Sequence, residues 1–147
     1  MMIKRLLFGC MLSFFAICHA AEINQSPVDL WRTYDLKGQE RSVLKFYIAD
    51  NELKADVVKI LLNKGVYCDK CKRNLKNKPY LGMTIIRGLT HKQNKWINGE
   101  VLDTDTGNTY SCHVTLSKDG KTMNLHAYKG IPLFGRTVHW QRESEIH

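Results

Sequence analysis

Alternation at a period of two governs this sequence. Val43 to Ala49 sets Leu44, Phe46 and Ile48 on one face against Val43, Lys45 and Tyr47 on the other, the pattern of a half-buried strand. Asp50-Asn51 follows, a pair that tolerates the positive φ values of a two-residue hairpin. Leu53, Ala55 and Val57 then resume the apolar face. With Asp50 and Asn51 as the turn, Ile48 faces Leu53, Phe46 faces Ala55 and Leu44 faces Val57, so pattern and turn chemistry demand one register.

The second half repeats this logic. Ile97, Gly99 and Val101 form one inward row, and Asp103 to Asn108 a turn. Tyr110, Cys112, Val114 and Leu116 form the next row; after a Ser117 to Lys121 turn come Met123, Leu125 and Ala127, with Leu116 facing Met123. Leu30 to Tyr34, Met83 to Leu89 and Thr137 to Arg142 bring the total to about eight antiparallel strands, the number at which an up-and-down meander can close and lose its edges. Ser26 to Asp29 leaves room for at most one helical turn before the first strand. The expected fold is all-β: a small closed antiparallel barrel. Pro27, Pro79 and Pro132 fall between strands, as a barrel requires. Ala55 and Gly99 are the smallest inward residues, an arrangement expected where interior space is kept open.

The first twenty residues carry an address. Lys4 and Arg5, an apolar run from Leu6 to Ile17, and the exit Cys18-His19-Ala20 follow the grammar of an export signal cleaved after Ala20. The run is too short to span a bilayer. Residues 21–147 then form one mature domain with no membrane span, working in the periplasm or outside the cell, where nucleic acid is excluded as a partner and disulfides persist. Losing Lys4 and Arg5 lowers the formal charge from +8 to +6, so anionic envelope components are expected to be attracted.

Of the 5 cysteines, Cys10 and Cys18 leave with the signal; Cys68, Cys71 and Cys112 remain. Cys68 and Cys71 lie in a lysine-rich stretch, Leu62 to Tyr80, that has no clean period. Three readings are open for the pair. A disulfide would staple the loop; a redox dithiol would want a following helix, which residues 72–79 do not offer; a zinc site would want further ligands, Cys112 among them if the loop covers the barrel mouth.

Asp29-Leu30-Trp31, Lys78 to Met83, Trp96-Ile97-Asn98-Gly99 with Asp103, Gly107, Thr109 and Tyr110, and Gly130 to Thr137 with Trp140 and Arg142 resemble the domain of unknown function 2147 family. The resemblance covers nearly all of residues 21–147. It implies an exported bacterial protein with a lipocalin-like barrel and no established enzymatic activity. Ala127 stands where some members have glycine. In lipocalin-like barrels a first-strand tryptophan packs under a late arginine, and Trp31 with Arg142 resembles that structural pair, Arg136 being the other arginine in range.

No serine–histidine–aspartate motif, phosphate loop, nucleotide fingerprint or paired carboxylate is present, so the expectation is a binding protein without cofactor rather than an enzyme. Its expected ligand is a small apolar or amphipathic molecule inside the barrel, against Leu44, Phe46, Ala55, Tyr110, Cys112, Val114, Leu125 and Trp140. The same residues could instead fill the interior and make the barrel a scaffold whose basic loop meets envelope polymers. Thiol–disulfide or metal handling at Cys68 and Cys71 is the third reading. Register also places His113 opposite His126; pairing Ala127 with Val138 would add His139 opposite His126, an outward imidazole stripe able to hold zinc or copper.

Overall fold

Asp50 and Asn51 adopt φ values of 55° and 61°, and they join strand β2 (Glu40–Ala49) to β3 (Glu52–Ile60). The register is the expected one: Ile48↔Leu53, Phe46↔Ala55 and Leu44↔Val57. The computed structural model describes residues 23–62 and 65–143; the expected export signal lies outside the described residues. The other strands are β1 (Leu30–Tyr34), β4 (Thr84–Lys92), β5 (Lys95–Asp103), β6 (Asn108–Leu116), β7 (Thr122–Tyr128) and β8 (Gly135–Glu143). Each pairs antiparallel with the next, and β8 returns to β1 through Trp31↔Arg142, closing an eight-stranded barrel without free edges.

The two ends of the barrel differ. At one end the turns are short (50–51, 93–94, 117–121), and the segment before β1 lies across the opening. Trp31 is fully buried there, and its indole N–H donates to the Pro27 carbonyl at 2.9 Å. Arg142 stacks on the Trp31 ring at 4.4 Å. The same guanidinium donates to the Asp29 carboxylate at 2.6 Å and to the carbonyls of Gly120 (2.8 Å), Ser26 (2.9 Å) and Asn24 (3.2 Å). Arg142 is thereby committed to closing this end, and Arg136 sits at the other. At that other end lie the connections 35–39, 104–107 and 129–134 and the much longer 61–83.

The lower barrel is solid. Leu44, Phe46, Leu53, Ala55, Ile86, Leu89, Cys112, Val114 and Met123 are wholly buried in one cluster with Trp31. Ala55 and Gly99 do not keep space open, as their size suggests. A Cβ on Gly99 would lie 2.5 Å from the Leu89 side chain and 3.2 Å from the Cys112 sulfur; glycine is there because Leu89 fills the place.

Several local expectations are corrected. Trp96 pairs with Val114 and Gly99 with Cys112, so Ile97 and Asn98 together oppose His113 alone. This is a bulge, with Asn98 at φ 61°. It turns Trp96 toward the core and takes Ile97, which pairs with exposed Thr90, out of the inward row. Strand β8 begins at Gly135, not Thr137, and Val138 pairs with Leu125 rather than Ala127. Gly135 makes the earlier start possible: a Cβ there would meet the Ala127 carbonyl at 2.4 Å. His139 consequently faces Asn124, and His126 faces Thr137. Residues 23–28 contain no helical turn, within the expected limit of one, whereas Arg73–Leu75 form a short 3-10 turn in the stretch expected to offer no helix.

The long connection 61–83 has its own small core. Cys68 and Cys71 form a disulfide, buried with Met83 against Leu75, Tyr80, Ile85 and Leu102. Closing so short a loop stabilises by about 2 kcal/mol in the chain-entropy picture. The Cys68→Ser/Cys71→Ser double variant should therefore lose about that much in urea unfolding yet keep its β-sheet circular dichroism. Loss of the barrel signal itself would show that the staple supports more than its loop.

Candidate functional site

Above the solid floor the interior opens into a cavity of about 940 Å³ between the long connections. Its walls come mostly from inward rows that continue past the core, Thr33 on β1, Val101 on β5, Tyr110 on β6, Leu125 and Ala127 on β7, and Val138 and Trp140 on β8, joined by Tyr34 and Ile85 where the β1–β2 and β3–β4 registers shift. Trp140 is floor and wall at once, since it lines the cavity and packs 6.3 Å from the Phe46 ring. This volume falls within the usual range for small-molecule pockets, which are mostly apolar with a few placed polar groups. A second groove of about 640 Å³ lies between the 61–83 connection and the barrel and shares Arg41, Ile85, Thr104 and Asp105 with the first.

Of the eight residues read from sequence as interior, Tyr110, Leu125 and Trp140 line the cavity. Leu44, Phe46, Ala55, Cys112 and Val114 belong to the packed floor below it. A period of two identifies the inward face but carries no information about depth along the barrel axis. Val101 and Val138 were missed for that reason, and Tyr34 and Ile85 because they lie where the strand register shifts; Arg136 stands in the sequence reading only as the alternative to Arg142. A usable signal was present in the 61–83 connection, whose length far exceeds that of the others and marks the end at which the barrel opens.

Part of the rim is apolar and exposed. Leu133, Phe134 and Leu36 are 80%, 71% and 69% exposed and line the cavity entrance. The 129–134 connection that carries two of them is tied down by His126, whose Nε2–H donates to the Pro132 carbonyl at 2.5 Å while Nδ1 accepts from the Thr137 hydroxyl at 2.9 Å. Because a carbonyl can only accept, that contact fixes the tautomer.

The imidazole stripe is reduced to a pair. The His113 and His126 rings lie 5.0 Å apart, and burial, then His126, then Lys95 hold His113 below its ordinary pKa. His139 is elsewhere, 2.6 Å from the Asn124 side chain. Among the described residues no three potential ligands converge on a metal position. The barrel wall likewise separates Cys112 from the Cys68–Cys71 disulfide, so the three sulfurs form no common site.

Cys112 is fully buried, and burial, with a smaller contribution from Glu100, pushes its thiol up to about 12. An unfolded thiol ionises near 8.5, so above that pH the unfolded chain binds fewer protons than the native one and stability falls as pH rises toward 12, by about 1.4 kcal/mol per pH unit. Cys112→Ala should remove this part of the alkaline slope in urea unfolding at pH 8 to 10.5. An unchanged slope would assign it to other groups. Native protein should also resist iodoacetamide at pH 8.

The family described as "uncharacterized protein conserved in bacteria" (DUF2147) matches residues 29–142. The chain belongs to that family. The match starts just before β1 and ends at Arg142, so it takes in all eight strands except the last residue of β8. Among solved structures it is similar to one described as "Protein HP1028 from the human pathogen Helicobacter pylori belongs to the lipocalin family", with a TM-score of 0.70, 16% identity, and 86% of each chain covered. At that identity the likeness establishes the fold. No curated protein matches the sequence. A DUF2147 member with a lipocalin-like barrel thus has an architecture more often used to bind small molecules than to catalyse.

Proposed function

We propose that this DUF2147 protein is an exported, periplasmic or secreted, non-enzymatic binding protein that holds a small apolar or amphipathic molecule in the upper half of its barrel. The observation that carries the proposal is the one-ended cavity of about 940 Å³, walled by Leu125, Val138, Tyr110 and Trp140 and opening among the long connections. A barrel serving only as a scaffold gains by filling its bore, as the lower half does. Export is supported by the signal-like residues 1–20 and fits a disulfide, which needs an oxidising compartment to persist. The buried sulfurs and the absence of a helix longer than one 3-10 turn after Cys71 disfavour the redox reading. Exposed Lys70, Lys72, Lys76 and Lys78 are left as a contact surface for anionic envelope components.

Native mass spectrometry of freshly purified protein should reveal a co-purified small molecule, and the uncharged dye N-phenyl-1-naphthylamine should brighten on binding. Val138→Trp tests the location. Val138 is only half-buried and faces the cavity beside Leu125, so an indole there would occupy ligand space and weaken dye binding at least tenfold with the fold intact. Unaltered dye binding by the folded variant would refute the cavity as the site. Ala55→Trp would not be informative, because Ala55 lies in the close-packed floor.

A further inference from the structure

The charges around the cavity entrance are unequally committed. Asp35 accepts backbone hydrogen bonds from Lys37 and Gln39 at 2.8 and 2.9 Å, which close its own turn. Asp103 accepts from the Asp105 backbone N–H and the Thr106 hydroxyl, both at 2.9 Å. Asp105 pairs with Arg41 at 2.6 Å, and that contact raises the pKa of the guanidinium. Each acid at the entrance is therefore engaged by neighbouring groups.

Two cations of the 129–136 segment are not paired with any of them. The register Ala127↔Arg136 sets Arg136 on the inward face at the top of β8, and it lines the cavity. Lys129, which also lines it, holds its ammonium 5.7 Å from the centre of the Tyr110 ring. Among the described residues neither forms an ion pair with a carboxylate. Below Arg136 the inward row of β8 continues as Val138 and Trp140, four residues or about 13 Å of strand. A fixed cation thus stands over an apolar wall that ends on a closed floor.

Resting on the cavity reading above, we propose that the ligand is an amphipathic carboxylate: its apolar chain lies along Leu125, Val138 and Trp140, and its head group meets Arg136 with Lys129 beside it. A guanidinium presents two parallel N–H donors that match a carboxylate, and an arginine with no internal acid gives up no ion pair to bind one. An uncharged molecule of the same length keeps the wall contacts and loses the head-group contact. The position of Arg136 at the exposed entrance makes the preference salt-sensitive.

The test is displacement of N-phenyl-1-naphthylamine from the full mature chain by dodecanoate and by dodecanol, at low and at 0.5 M salt. Wild-type protein should prefer dodecanoate about tenfold at low salt, the scale of one charge-assisted hydrogen-bonded contact, and less at high salt. The preference should vanish or reverse in Arg136→Glu, shrink in Lys129→Gln, and survive in Arg136→Lys, each variant being checked for native circular dichroism. Equal displacement by both compounds, or a preference unmoved by Arg136→Glu, overturns the carboxylate proposal while leaving the cavity as an apolar site. Failure of both compounds and of the dye to bind overturns the cavity reading as well.

Discussion

Trp31→Ala will remove about 3 to 5 kcal/mol of stability, the range for truncating a fully buried aromatic residue. The indole is wholly buried, is bonded through its N–H to the Pro27 carbonyl, and supports the Arg142 guanidinium 4.4 Å above its ring. Removing it opens a void beneath a cation whose other partners, Asp29, Ser26 and Gly120, are positioned by the same stack. For a domain of this size the loss approaches half of a typical total stability. Urea unfolding should show a lower midpoint with little change in slope. Trp31→Phe, which keeps most of the volume but not the N–H donor, should lose clearly less. A loss below about 1 kcal/mol in the alanine variant would show that the closed end contributes little.

Gly107→Ala is the second large effect, at about 3 kcal/mol. Gly107 has φ 75°, a left-handed conformation that costs an alanine about 1 to 2 kcal/mol. The added Cβ would also fall 1.8 Å from the Lys70 carbonyl oxygen, a collision that only movement of the disulfide loop away from the 104–107 connection relieves. The loop should then undock: hydrogen exchange should rise around residues 66–80 and 103–108 while β2, β3, β6 and β7 stay protected. A fully protected 66–80 segment in the variant would contradict the close approach.

The β2–β3 and β6–β7 hairpins were legible in the sequence because two independent signals, side-chain alternation and turn chemistry, met in each. The bulge at Asn98 was not legible. A single left-handed asparagine reverses the inward face for Trp96 and Ile97, and its identity alone looks like any polar residue in a strand. The β7–β8 register failed for another reason. Its connection has no tight turn to fix the pairing, and a slip of two residues keeps every side chain on its own face. The error moved only partners, so His139 was not placed opposite Asn124, whereas Arg142 was placed with Trp31 through the family resemblance and not through this register. For the site, the inward face was readable and the boundary between packed floor and open bore was not.

The grip of Arg142 on residues 24–29 has a bearing on when this chain can fold. The guanidinium belongs to the last strand and its partners precede the first, so the barrel cannot seal until the C-terminal residues have been synthesised. Pairing so distant in sequence makes closure slow. A nascent chain lacking β8 is left without its seam, so the last strand to leave the ribosome is also the one that seals the barrel.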